Sequence, residues 1–285
     1  MALIEDWISR LQQVLDNEEL LVSSVRVGVF YTAVQISSGH VGVAFTPRDL
    51  SDAVCCPRTA AAGPPAGRMA GRPGWEIADY ARSQSVLRRA VGVAALNAIS
   101  ALAMARYRVP EGELCPGLDA LEAAEIGRDD RVTMVGAFVP FIKALRHRVE
   151  DLWVVDKHPG ALKPEERSCW VPLEDANRFL AQASVVIISG SALVEGGIDE
   201  LLAASCRARR VVLAGPTASP WPPPFFRVGI HILGGIRARD NQRLLALVGE
   251  GASGYIFEEA AEKISIIKQG SVTANSTSVP QSVCC

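Results

Sequence analysis

The sequence is poor in several features that would mark a specialised environment. Net charge is one: 29 Lys and Arg against 31 Asp and Glu leave −2 at neutral pH. The basic residues are scattered, which excludes the electrostatic footprint of a nucleic-acid binder; Arg82, Arg88 and Arg89 read as a solvated helix face. Uninterrupted apolar runs are another. The longest apolar stretch, residues 86–104, is broken by Arg88, Arg89, Asn97 and Ser100, which fits a buried helix and not a membrane span. The opening MALIEDWISR carries early acids and lacks a basic region followed by an apolar core, so no signal peptide is expected and the cytoplasm is the expected compartment. The four histidines, 40, 147, 158 and 231, are isolated. The seven cysteines show no CxxC spacing, and no HxxxH occurs, which excludes a preformed structural zinc site. An odd cysteine count with two adjacent pairs, Cys55-Cys56 and Cys284-Cys285, argues against a disulfide framework. A GxGxxG fingerprint is absent, and SGSAL lacks the final glycine of a nucleophile elbow.

What remains is enough apolar residue, 49% of 285, for one large domain or two ordinary ones. Residues 3–16 place Ile4, Trp7, Ile8, Leu11 and Leu15 on one helical face. Val-rich runs at 21–30, 31–36 and 40–45 predict an antiparallel meander, with Ser37-Ser38-Gly39 as a tight turn. Prolines and glycines make residues 46–75 a long irregular loop, and a helix is expected over 76–106. Pro110, Gly112, Pro116 and Gly117 suggest a linker. The rhythm then changes to strands at 131–135, 152–155, 184–188, 210–214 and 231–233 alternating with helices at 138–148, 174–182, 199–207 and 241–248. That alternation predicts a parallel sheet covered on both faces. Polar residues 270–283 read as a disordered tail.

In such sheets ligands bind beyond the carboxyl ends of the strands. Those ends carry Gly136, Asp156, Ser189-Gly190-Ser191 and Gly215-Pro216. Glycine there admits a ligand to the backbone, although glycine and serine also make ordinary tight turns. Asp156 follows Gly136 by about 20 residues, where nucleotide-binding sheets place a ribose-binding carboxylate; a surface pair with Lys157 or Arg148 is the plainer alternative. Without a phosphate-binding fingerprint in VGAFVPF, NAD is poorly supported. His158 lies beside Asp156. Glu195 and Asp199, four apart, share a helix face if the helix starts early; Glu195 is then a candidate catalytic acid or base, or simply a charge favouring a helix start.

In motif order, VGAFVPF, VVDKHP, ASVVIISGSALVEGGIDELL, VVLAGPTASPWPPPFFRVGI and VGEGASGYIF resemble a bacterial and archaeal family of heavy-metal chelation domains, through most of residues 130–260. In that family an enolase N-terminal-like α+β domain precedes a Rossmann-like domain. The resemblance therefore implies an α/β chain of two units, the first over 1–110 and the second over 119–269; the Pro/Gly-rich linker at 111–118 lies between them and the polar tail over 270–285 follows. The segment HVGVAFTPRD matches the first unit's strand-and-loop region. The Rossmann-like domain of the family partly resembles methyltransferases, and its interdomain pocket is associated with pterin-, flavin- or siderophore-like molecules and metal chelation. Two departures stand out: Glu195-Gly196-Gly197 replaces the usual Asn-Gly-Thr, and Asp156 replaces Glu.

The leading expectation is a metal-homeostasis protein that binds a small metal-chelating ligand in the interdomain cleft. Gly136, Asp156, His158, Ser189, Gly190, Ser191, Gly215 and Pro216 would line one side, and Thr46 and Arg48 the other, with Arg48 suited to an anionic group. One alternative is a methyltransferase-like or condensing or hydrolytic enzyme using Glu195 and an S-adenosylmethionine-like ligand. The other is a thiol carrier holding a transition-metal ion through Cys284 and Cys285. The partner is a small molecule, not nucleic acid or a membrane, and a homo-oligomer is compatible with the sequence.

Overall fold

The computed structural model describes residues 2–48 and 63–271. Cys284, Cys285 and nearly all of the expected tail lie outside the described residues. Helix α1 (Ala2–Val14) is amphipathic and buries Leu3, Ile4, Trp7, Ile8 and Leu11. Strands β1 (Val22–Val27), β2 (Tyr31–Ile36) and β3 (Val41–Phe45) form the expected antiparallel meander, in the order β1-β2-β3.

The helix expected over 76–106 is not continuous. A short α2 (Gly74–Ala78) runs into a 3-10 turn at Asp79–Arg82. The chain then extends before α3 (Val86–Arg106), whose N-cap Ser85 accepts the Arg88 N–H. A serine hydroxyl that satisfies an orphan donor starts a helix, so the break is written in Ser85. Among the described residues α3 is the one helix long and apolar enough to cross a membrane, and most of it is buried inside the fold. Asn97, near its middle, donates from Nδ2 to Val43 O (2.8 Å) and Thr217 O (2.9 Å), tying the small sheet to the second half of the chain.

The segment expected to be a linker is instead strand β4 (Gly112–Pro116), at one end of a large sheet. It pairs antiparallel with β11 (Ala261–Lys268), a strand the sequence reading did not find, with Gly112 opposite Lys268 and Pro116 opposite Ile264. Between them in the chain come α4 (Ala120–Ala123), β5 (Arg131–Val135), α5 (Val139–Leu145), β6 (Asp151–Val155) and the two-residue β7 (Trp170–Val171). Then follow α6 (Ala176–Leu180), β8 (Val185–Ser189), α7 (Ala192–Glu195), α8 (Ile198–Ala204) and β9 (Arg210–Ala214). The chain continues through α9 (Pro222–Arg227), β10 (Ile232–Ala238) and α10 (Asn241–Gly249).

The eight-stranded order is β4-β11-β10-β9-β8-β5-β6-β7, with β10 through β7 mutually parallel. Those six strands have the doubly wound Rossmann order: the chain winds outward from β5 to β7, then returns to β8 and winds the other way. The strands carrying this core, such as VVIIS and RVVLA, are buried on both faces. The architecture is therefore mixed α/β, a small antiparallel sheet beside a large, mostly parallel one.

A candidate ligand site at the strand switch point

Winding reverses between β5 and β8, and open sheets bind ligands in the crevice beyond that point. Gly136 follows β5 and Ser189 ends β8, and the two touch: a methyl group at Gly136 would lie 2.9 Å from Ser189 Cβ. Gly136 also has φ +89°, a left-handed conformation that L side chains rarely adopt. The strand reversal thus ends in a turn that only glycine fits.

Asp156 stands at the rim, after β6. Its Oδ2 accepts the Ala137 N–H (3.1 Å) and its Oδ1 the His158 N–H (3.1 Å). The surface pair with Lys157 or Arg148 is not formed; instead the carboxylate pins the turn after β5 to the loop after β6. Trp170 Nε1 donates to Asp156 O (3.0 Å) and fixes the same loop from β7. His158 contributes its backbone N–H, and its residue is exposed.

Ser189, Gly190 and Ser191 form the turn after β8, where Ser191 N–H donates to Ser189 Oγ (3.2 Å). Gly190 packs against Thr217, whose Cβ would be 3.0 Å from an added methyl. Gly215 has φ +106° and faces the Phe138 ring. Thr217 Oγ1 accepts the Phe45 N–H (2.9 Å), so the end of β3 abuts the turn after β9. On that side Thr46 is buried, with its hydroxyl 2.9 Å from the Thr32 hydroxyl. Arg48 is exposed, with its guanidinium 5.2 Å from the centre of the Phe30 ring. Pro216 lies near Gly254, which meets the Tyr31 hydroxyl. Burial pushes the Tyr31 phenol up to about 12.

Glu195 and Asp199 do not share a helix. Glu195 ends α7, and Gly196 (φ +94°) and Gly197 (φ +84°) break the chain before α8. Glu195 Oε1 accepts Lys157 Nζ at 2.8 Å, an ion pair that joins the loops after β6 and β8. Asp199 Oδ1 accepts the Leu3 N–H (3.3 Å). The solvated face expected of Arg82, Arg88 and Arg89 is also revised. Arg82 pairs with Glu5 and Asp79, and half-buried Arg89 donates to the carbonyls of Val194 and Glu195. Arg89 and Asn97 were the contributors to this region that the sequence reading missed; a polar residue inside an apolar helix was the available signal.

The described residues do not fit a protein-built metal centre: no group of three His, Cys, Asp or Glu side chains comes together among them. Cys115, Cys169 and Cys206 are free and separate. Burial, and then the neighbouring Glu113, pushes the Cys115 thiol up, and burial does the same at Cys169. Both therefore hold their protons more tightly than an ordinary thiol, whereas a metal needs the thiolate.

A family model described as "putative heavy-metal chelation" matches residues 119–267, and a second model with the same description matches residues 8–100. An uncharacterized protein of Methanocaldococcus jannaschii is 29% identical over 196 residues, which is 67% of this chain and 70% of that protein. A crystal structure of a protein of unknown function from Pyrococcus horikoshii aligns with TM-score 0.72 at 19% identity, covering 92% of this chain and 98% of that one. Another, from Desulfitobacterium hafniense, aligns with TM-score 0.70 at 19% identity, covering 93% and 100%. At that identity the likeness is one of fold.

Proposed function

The chain belongs to the heavy-metal chelation family, and on that premise we propose that it binds a small organic chelator, pterin- or siderophore-like, in the switch-point crevice. The organic molecule, not the protein, supplies the donors for the metal it carries. The observation that carries this reading is the meeting of Gly136 and Ser189 where the winding reverses, with the Asp156 carboxylate on the rim. A crevice of backbone and small hydroxyls suits a ligand that brings its own functional groups. On the side of the small sheet, exposed Arg48 would offer a positive charge to an acidic group of the ligand, while buried Thr46, its hydroxyl against that of Thr32, would support the loop that carries it.

Native mass spectrometry with elemental analysis of the purified protein tests the reading directly. The expected result is an organic mass bound together with metal. Neopterin, followed by its own fluorescence, serves as the probe of the crevice. Asp156→Ala should weaken its binding, and should lower stability as well, since its two bonds to backbone N–H groups are bonds to a charged group and worth about 1.5–3 kcal/mol each. Stoichiometric bare metal with no organic partner, or neopterin binding unchanged in Asp156→Ala, would overturn the proposal. Saturable binding of S-adenosylmethionine would favour the methyltransferase-like alternative instead, for which the Rossmann order and the position of Asp156 speak.

A further inference from the structure

The switch-point crevice has an ion pair across it. Strand β5 lies between β6 and β8 in the sheet. Lys157, in the loop after β6, and Glu195, at the end of α7 after β8, meet at 2.8 Å. The pair therefore spans the end of β5, where Gly136 makes its turn. Both backbones are anchored. Asp156 O, just before Lys157, accepts Trp170 Nε1, and the His158 N–H, just after it, donates to the Asp156 carboxylate. The carbonyls of Val194 and Glu195 accept from Arg89. What can move is the pair of side chains, with no shift of the chain.

The pair holds weakly. The Lys157 side chain is 54% exposed and that of Glu195 34%. An ion pair so open to water favours its closed form by no more than about fivefold. Nor does it satisfy the lysine. An ammonium has three N–H donors, and Glu195 Oε1 takes one, so the others have no partner among the described residues. The neighbouring charges are committed elsewhere. Asp156 uses both oxygens on backbone N–H groups, and Arg89 donates to the carbonyls of Ser83, Gln84, Val194 and Glu195.

On the reading of the crevice as the ligand site, we infer that Lys157 receives a carboxylate of the ligand, exchanging Glu195 for it on binding, so that the chelator taken up is one that carries an acid. A carboxylate brought in by the ligand can use the unpartnered N–H groups as well as the one that Glu195 gives up. Inside a crevice that the ligand shuts off from water, the new pair is stronger than the exposed one it replaces. Glu195, once released, stays beside Arg89, whose Nη2 already holds the Glu195 carbonyl at 3.0 Å, so its charge is not stranded. A neutral chelator gains nothing from the exchange and leaves the pair as it is.

Fluorescence titration of the full-length protein with a pair of pterins tests this. Pterin-6-carboxylate shares the ring of neopterin but bears a carboxylate where neopterin has an uncharged trihydroxypropyl chain. It should bind about tenfold more tightly than neopterin, or about 1.4 kcal/mol. Lys157→Met should abolish that preference. Glu195→Gln, which removes the competing carboxylate, should tighten pterin-6-carboxylate by about two- to fivefold, the bias of the pair it breaks. Equal affinity for the two pterins, or looser binding of pterin-6-carboxylate in Glu195→Gln, overturns the inference and leaves the crevice reading standing, since neopterin still binds. A preference that survives Lys157→Met overturns it too, and assigns the acid to Arg48 instead. If neither pterin binds, the crevice reading falls and the inference falls with it.

Discussion

At the scale of single residues, polar groups do two kinds of work in this protein. Asp156 spends both carboxylate oxygens on backbone N–H groups, which makes the switch-point turn a fixed object before any ligand arrives. His231 is a purely structural counterpart. Its Nδ1 accepts the Val211 N–H (3.0 Å), and burial, then the charges of Arg210 and Lys268, push its pKa below the ordinary value. The folded state therefore refuses a proton that the unfolded chain accepts. Stability from this group is fully present above pH of about 6.5 and is lost as pH falls below it, toward the folded pKa. A melting temperature that declines with acidification through that window is expected, and His231→Asn, which keeps an acceptor for Val211, should reduce the slope. It should not abolish it, because burial and Arg106 depress His40 in the same direction. An unchanged slope in His231→Asn would refute the assignment.

At the scale of elements, close approach of backbones governs the fold more than side-chain size. Gly42 of β3 lies so near α3 that an added methyl would sit 2.1 Å from Ala98 N and 2.3 Å from Ala94 O. Neither atom can move without distorting a helix. Gly42→Ala is expected to destabilise by about 3 kcal/mol or more, as overpacking against backbone does; chemical denaturation giving less than about 1 kcal/mol would mean that β3 can shift freely. The same scale explains what could be read in advance. Strands β5, β6, β8 and β9 were legible because strands buried on both faces are written as short apolar runs rich in Val, here VTMV, LWVV, VVII and VVLA. Strand β11 was not, because Lys263 and Ser265 interrupt its apolar residues and its antiparallel pairing with β10 leaves no local mark. Helix α9 hid behind Pro222-Pro223-Pro224, residues that normally signal a loop but are tolerated in a first turn, where no N–H is needed. That Gly136, Asp156, Ser189 and Gly215 stand at or just after strand ends was legible from the alternation of strands and helices. The place of Glu195 was not, since it depended on a short additional helix, Ala192–Glu195, set apart from the expected one by Gly196 and Gly197, both at positive φ.

At the scale of the whole molecule, the two sheets share their interior. One buried apolar cluster runs from Leu3, Trp7 and Leu11 through Val34 and Leu96 to Val186, Phe225 and Ile266. Trp7 and Phe225 meet edge to face with ring centres 5.1 Å apart. An element that leaves this cluster exposes apolar surface from both halves, so calorimetry should show a single transition, with equal calorimetric and van't Hoff enthalpies. Two resolved transitions would show that the halves hold together separately. Ser100 marks the join most clearly: its hydroxyl accepts Trp7 Nε1 (3.0 Å) and the Trp221 N–H (2.8 Å) from opposite sides. Both indoles are almost wholly buried, at 0% and 2% exposure. The seam therefore carries a built-in optical gauge. Parting of the halves would wet two indoles at once and move their emission to longer wavelength, so ligand-driven opening or closing can be followed by light without attaching a dye.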